Sequence, residues 1–154
     1  MLAEIPNEKR VREIVAAHAH LEGPLLPILH ALQAEYGFIP RDAIPIVAEA
    51  LNLTRAEVYG VVSFYHDFRD KPAGRRVVKL CRAEACQSMG HEALAGHVRQ
   101  ALGIDFYQTT ADGAVTLEPV FCLGLCACGP ALTWDGEPHG RADAELVDEL
   151  LAGA

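Results

Sequence analysis

Five cysteines are few for a chain of 154 residues, and they are odd in number and confined to one half of it. That distribution argues against a secreted disulfide framework and for a reducing compartment, so a cytoplasmic location is expected. No C-x-x-C occurs, which removes the usual dithiol redox site. Neither G-x-G-x-x-G nor a phosphate-binding P-loop is present, and no nucleophile–base pair suggests itself, so the chain by itself is expected to catalyse no net reaction. Positive charge is also short: 13 Lys and Arg stand against 21 Asp and Glu, for a net charge of −8. Without a basic stripe to displace phosphate counterions, nucleic-acid binding is not expected. No apolar run approaches the roughly 18–20 residues that span a bilayer, so no membrane span is expected. Residues 1–6 lack the basic start and apolar stretch of an export signal. There is no internal repeat or low-complexity segment.

What is present is enough apolar material for a packed core, 51% of the residues. The first part reads as helices. Val11, Ile14, Val15 and His18 recur at helical spacing across residues 7–21. A second helix is expected from Pro24 to Tyr36, with Gly37 as its stop, and a third over residues 42–51, ended by Asn52. Thr54 and Glu57 form a capping-box pattern for a fourth, strongly apolar helix running to about Phe64. That helix reads mainly as bundle core, with part of its surface as a docking face for a partner. Residues 67–75 mix charge with Pro72 and Gly74 and read as a linker. The fold class is therefore α/β, with a helical domain over residues 1–70 and a second domain over residues 71–154.

Beyond the linker the pattern changes. Residues 76–80 read as a strand that delivers Cys81. Ser88 is placed to cap a helix running to Leu102, with Gly103 as its stop. Strands follow at 106–109, 115–121 and 131–134. Asp135-Gly136 is a hairpin turn signal that leads to a short strand near Pro138 and His139. A helix over residues 143–151 closes the chain.

The chemistry lies in two cysteine pairs, Cys81-x4-Cys86 and Cys122-x3-Cys126. Thiolates supplied in pairs by short loops suit a 2Fe–2S cluster, which takes four of them. Gly124 can adopt positive φ inside the second loop. Spacing alone also admits a four-cysteine zinc site or unreactive buried thiols.

Further residues narrow this. Residues 57–65, 72–75, both cysteine pairs, 109–113 and 116–118 occur together and in order. In these the chain resembles the thioredoxin-like 2Fe–2S subunits of NADH-oxidising complexes, over nearly its whole length. The resemblance implies a thioredoxin-like 2Fe–2S ferredoxin domain after the helical bundle. It also implies one 2Fe–2S cluster, metal and cofactor ligands Cys81, Cys86, Cys122 and Cys126, and a partner subunit that binds FMN and NAD(H). Residues 122–130, with Cys128 among them, and residues 22–30 look most like the gamma subunit of soluble NAD-dependent formate dehydrogenase. That branch would add a larger catalytic partner containing molybdenum and iron–sulfur centres. The equivalent subunits of NADH:quinone oxidoreductase and NAD-linked hydrogenase are the first alternative, and a zinc-stabilised interaction module without redox role is the second.

Three side-chain expectations complete the reading. Arg82 is either a solvated cation or a positive charge that favours cluster reduction. Cys128, outside the implied ligand set, is either a small hydrophobe filling space under Gly129 and Pro130, the favoured reading, or a reserve thiol for the cluster. The seven histidines are scattered and read as surface or satisfied core residues.

Overall fold

The computed structural model describes residues 7–153, so residues 1–6, the basis of the reading on export, lie outside it. The chain divides into two compact units, Met1–Pro72 and Ala73–Ala154.

The first unit is four helices: α1 Glu8–His18, α2 Leu25–Tyr36, α3 Ala43–Leu51 and α4 Arg55–Phe64. Each starts and stops for a local reason. The Asn7 side chain accepts from the Lys9 N–H at the head of α1. Asn52, at φ 53°, ends α3. At the head of α4 the Glu57 N–H donates to the Thr54 hydroxyl, while the Thr54 N–H donates to the Glu57 carboxylate, which completes the capping box. The apolar stripes converge: Val11 and Val15, Ile28, Leu29 and Leu32, Val47, and Val58 are buried together. The opposite face of α4 is open, with Tyr59 55% and Phe64 74% exposed.

The second unit is a five-stranded sheet in the order β2-β3-β1-β4-β5. The strands are β1 Arg76–Cys81, β2 Gln108–Thr109, β3 Val115–Val120, β4 Ala131–Trp134 and β5 Glu137–Gly140. β1 and β3 are parallel, and every other pairing is antiparallel. A parallel pair needs a crossover. Here the crossover carries the short helix α5 Glu84–Ser88 and the longer α6 His91–Leu102, and the chain closes with α7 Ala144–Ala152. Val78, Leu80, Leu117 and Leu132 from the strands pack with Leu94, Ala95 and Val98 of α6 and Val147 of α7. One face of the sheet is thus sealed by the two longer helices.

The crossover differs from the expectation of one helix capped by Ser88. The Ser88 hydroxyl donates to the Ala85 carbonyl and so closes α5 rather than opening α6. Gly90, at φ 98°, is the residue that turns the chain into α6, a conformation natural to a residue without Cβ. β2 is two residues rather than four, because the Asp105 carboxylate and carbonyl draw the Phe106 and Gln108 N–H groups into a turn. None of the described helices is long and apolar enough to cross a membrane.

Leu117 is fully buried at the centre of the second core. Leu117→Ala is expected to destabilise the protein by ~2–5 kcal/mol, read as a lowered urea midpoint with little change in slope.

Candidate metal centre

The parallel pairing of β1 with β3 builds the site. Cys81 is the last residue of β1 and lies opposite Val120, the last of β3. The Arg82 N–H continues the ladder by donating to the Val120 carbonyl at 2.7 Å. Two residues later the other chain segment reaches Cys122. Both cysteine loops therefore leave the sheet at the same end.

Cys81 and Cys86 are 2% and 1% exposed, whereas Cys122 and Cys126 are exposed. Cys86 sits inside α5, and Cys126 opens a short 3₁₀ turn, Cys126–Cys128. The two loops touch. A Cβ added at Gly129 would lie 3.1 Å from Met89 Sδ and 3.5 Å from Cys86 Sγ. Cys81, Cys86 and Ala131 form a small buried cluster of their own, lined by Ala83, Val120, Leu123 and Leu125. The walls around the sulfurs are thus largely aliphatic.

The sulfurs lie as two pairs. Cys81 and Cys86 are close enough for each thiol to act on the other, and Cys122 Sγ is 3.8 Å from Cys126 Sγ. The pairs also act on each other, because the Cys81 charge is felt at Cys126. Among the described residues, no three His, Cys, Asp or Glu side chains are placed to hold a single metal ion. Two pairs match the demand of a binuclear cluster, in which each iron takes two protein ligands.

Backbone donors face the sulfurs. The Gly124 N–H donates to Cys122 Sγ at 3.3 Å. The Ala131 N–H hydrogen-bonds Cys86 and holds its thiolate down, but burial outweighs it and pushes the thiol above its ordinary range. The Cys126 thiol is pushed up too, chiefly by its hydrogen bond to Cys122. Thiols poised in this way would be drawn down by a cation, since a metal site favours the thiolate. Cys122 itself has φ 136°, a region that residues with a side chain rarely adopt. Such strain collects at functional sites, and nothing in the residue types announces it.

Cys128 is half-buried. Its carbonyl accepts from the Arg141 N–H, and a Cβ at Gly140 would come within 2.8 Å of its Cβ. It is wedged under β5 rather than paired with another sulfur. Arg82 is not a free solvated cation: its Nε is buried, and its guanidinium carbon lies 4.9 Å from the Phe106 ring centroid. His91 departs from its expectation as well. It is 1% exposed, and neither ring nitrogen has a hydrogen-bond partner. Burial lowers its pKa, so the ring is neutral, and each unmet polar group costs about 1–3 kcal/mol. A histidine flanked by Gly and Glu at a helix start carries no mark of burial in the sequence.

This geometry has known counterparts. The thioredoxin-like 2Fe-2S ferredoxin family matches residues 11–154. One subunit of the NADH-quinone oxidoreductase of Pseudomonas aeruginosa is 39% identical over 135 residues, covering 86% of this chain and 81% of that protein. The corresponding subunit from Rhizobium meliloti is 35% identical, covering 93% and 85%. Among solved structures, the NAD+-reducing NiFe hydrogenase in its H2-reduced state superposes with a TM-score of 0.68 at 29% identity, covering 80% of this chain. The chain spans about a fifth of that hydrogenase chain, 21%. The chain belongs to the thioredoxin-like 2Fe-2S ferredoxin family, and its cofactor is one 2Fe–2S cluster.

In the metal-free chain, iodoacetamide labelling is expected to follow exposure and thiolate fraction. Cys122 is modified first, Cys126 lags because its raised pKa leaves less thiolate at pH 8, and Cys81 and Cys86 are slowest. Raising the pH from 8 to 10 speeds the labelling of Cys126, as peptide mass spectrometry over a time course can resolve.

Proposed function

We propose that Cys81 and Cys86 hold one iron of the cluster and Cys122 and Cys126 the other. On this reading the chain is the one-electron carrier of an NADH-linked oxidoreductase of the NADH:quinone oxidoreductase or NAD-linked hydrogenase kind. The observation that carries the ligand set is the paired arrangement of the four sulfurs at one end of β1 and β3. The parent complex rests on likeness to the Pseudomonas aeruginosa subunit and to the hydrogenase chain. NAD-dependent formate dehydrogenase, expected from residues 22–30 and 122–130, finds no support among these relatives. The molybdenum-containing partner that came with it has none either. A zinc module is set aside by membership of a 2Fe-2S family.

When bound, the cluster supplies reversible one-electron transfer between states of net charge about −2 and −3 with four thiolate ligands. The protein's own part is positioning and electrostatics. The buried pair anchors the site in the sheet, and the aliphatic walls exclude water from the Cys81 and Cys86 side of it. The Gly124 and Ala131 N–H groups offset the negative charge on the sulfurs. Arg82, the residue after Cys81, is held against Phe106 and is the cation this reading assigns to favouring the reduced cluster. The exposed pair faces solvent, on the side where a partner's redox group could approach. A flavin-bearing subunit that binds FMN and NAD(H) is the partner this role requires, and the exposed Tyr59 and Phe64 of α4 suit a docking face.

Anaerobic purification with metal analysis and EPR tests this. About two irons and two sulfides per chain, with a rhombic signal that appears on dithionite reduction, are expected. Cys128→Ser keeps that signal and Cys122→Ser loses or alters it; the reverse would replace the ligand set. Co-purification with a molybdenum subunit would restore the formate dehydrogenase reading. Arg82→Ala is expected to lower the midpoint potential by on the order of tens of millivolts, because a lost cation destabilises the more negative reduced state. An unchanged potential in a redox titration would remove Arg82 from this role.

A further inference from the structure

His91 opens α6 directly behind the ligand loop. Gly90 turns the chain so that the first side chain of the helix points inward, and the ring ends 1% exposed. It lies against the main chain of Cys81, close enough for that backbone to act on it, and within reach of the charges of Arg82, Arg99 and Glu92. Glu92 remains at 4.0 Å, too long for a hydrogen bond. Among the described residues neither buried ring nitrogen has a well-formed hydrogen bond, the Cys81 main chain offering a loose contact only, and Nε of Arg82 is buried and unsatisfied as well. A leucine would fill the same space without stranding a donor and an acceptor. What the imidazole adds is polarity placed in an apolar wall next to a ligand-bearing backbone.

We propose that His91 is a positioning residue for the cluster: a buried imidazole set against the Cys81 main chain whose polarity, with Arg82, raises the reduction potential. The proposal rests on Cys81 being a ligand. Groups that hold and polarise ligands tune a metal centre without touching it. In a low-dielectric surround a fixed dipole acts more strongly than it would in water. The reduced cluster carries one more negative charge than the oxidised, so polarity that can face it favours reduction. Removing that polarity lowers the potential.

The test uses the full-length chain with two substitutions of similar bulk, His91→Leu and His91→Gln. Iron and sulfide content, EPR g-values and the midpoint potential are measured for each. At the wild-type midpoint, His91→Leu is expected to be about tenfold less reduced, which is ~59 mV for one electron, with altered g-values. His91→Gln, which keeps a donor and an acceptor, stays within about twofold. A role in packing alone would move both variants equally or neither. Equal shifts, or a His91→Leu midpoint within twofold of wild type at full cluster content, overturn the proposal. Loss of the cluster from His91→Leu but not His91→Gln supports it, and loss from both overturns it. A wild-type chain that holds no iron under the same preparation sinks the ligand assignment instead, so the two failures are told apart.

Discussion

The pairing of β1 with β3 is the constraint on which the site depends. Two parallel neighbours end at the same edge of a sheet, and the register that sets Cys81 opposite Val120 leaves only Phe121 before Cys122. One hydrogen bond beyond the last pair, from the Arg82 N–H to the Val120 carbonyl, keeps the loops from splaying. A slip of one residue would turn Cys81 to the other face of the sheet. That register is held by burial of Val78, Leu80, Leu117 and Leu132 against α6 and α7. The aliphatic core of the sheet thereby determines which thiols can meet.

The two sulfur pairs sit in different surroundings for a related reason. Cys81 belongs to a strand and Cys86 to a short helix, and both are walled in by their own elements. Cys122 and Cys126 belong to a loop with little beneath it, held by the Gly124 N–H and a 3₁₀ turn. Regular structure buries its side chains, while a loop leaves them at the surface. The centre is therefore asymmetric, with one half built into the fold and the other half presented to solvent. For an electron carrier, this combines a rigid seat with a side open to approach.

Much of this is legible in the residues because the signals are local. The Thr54–Glu57 box, the Asn52 stop and the Asp135-Gly136 turn each act within a few positions, and the structure has them where the sequence puts them. The misses have a shared cause in competition between neighbours. Ser88 has the chemistry of a helix cap but commits its hydroxyl to Ala85. The 106–109 strand loses its first half to the Asp105 turn. Burial of His91, strain at Cys122 and the stacking of Arg82 on Phe106 are set by what folds over them, and no spacing rule carries that. The formate dehydrogenase branch rests on two short stretches, residues 22–30 and the segment around Cys128. That cysteine is fixed by its fit beneath Gly140, a packing detail compatible with more than one parent complex.

The uneven exposure of the sulfurs also bears on how the protein ages. Dissolved oxidants meet Cys122 and Cys126 long before they reach Cys81 and Cys86. Damage therefore begins on the loop, at thiols 3.8 Å apart that can close on each other with little movement. Cys81 and Cys86, buried at the end of the sheet, are shielded from the same oxidants. In the cluster-free chain such a bridge lies outside the buried part of the sheet end, so its reduction would restore both surface thiols without disturbing Cys81 and Cys86.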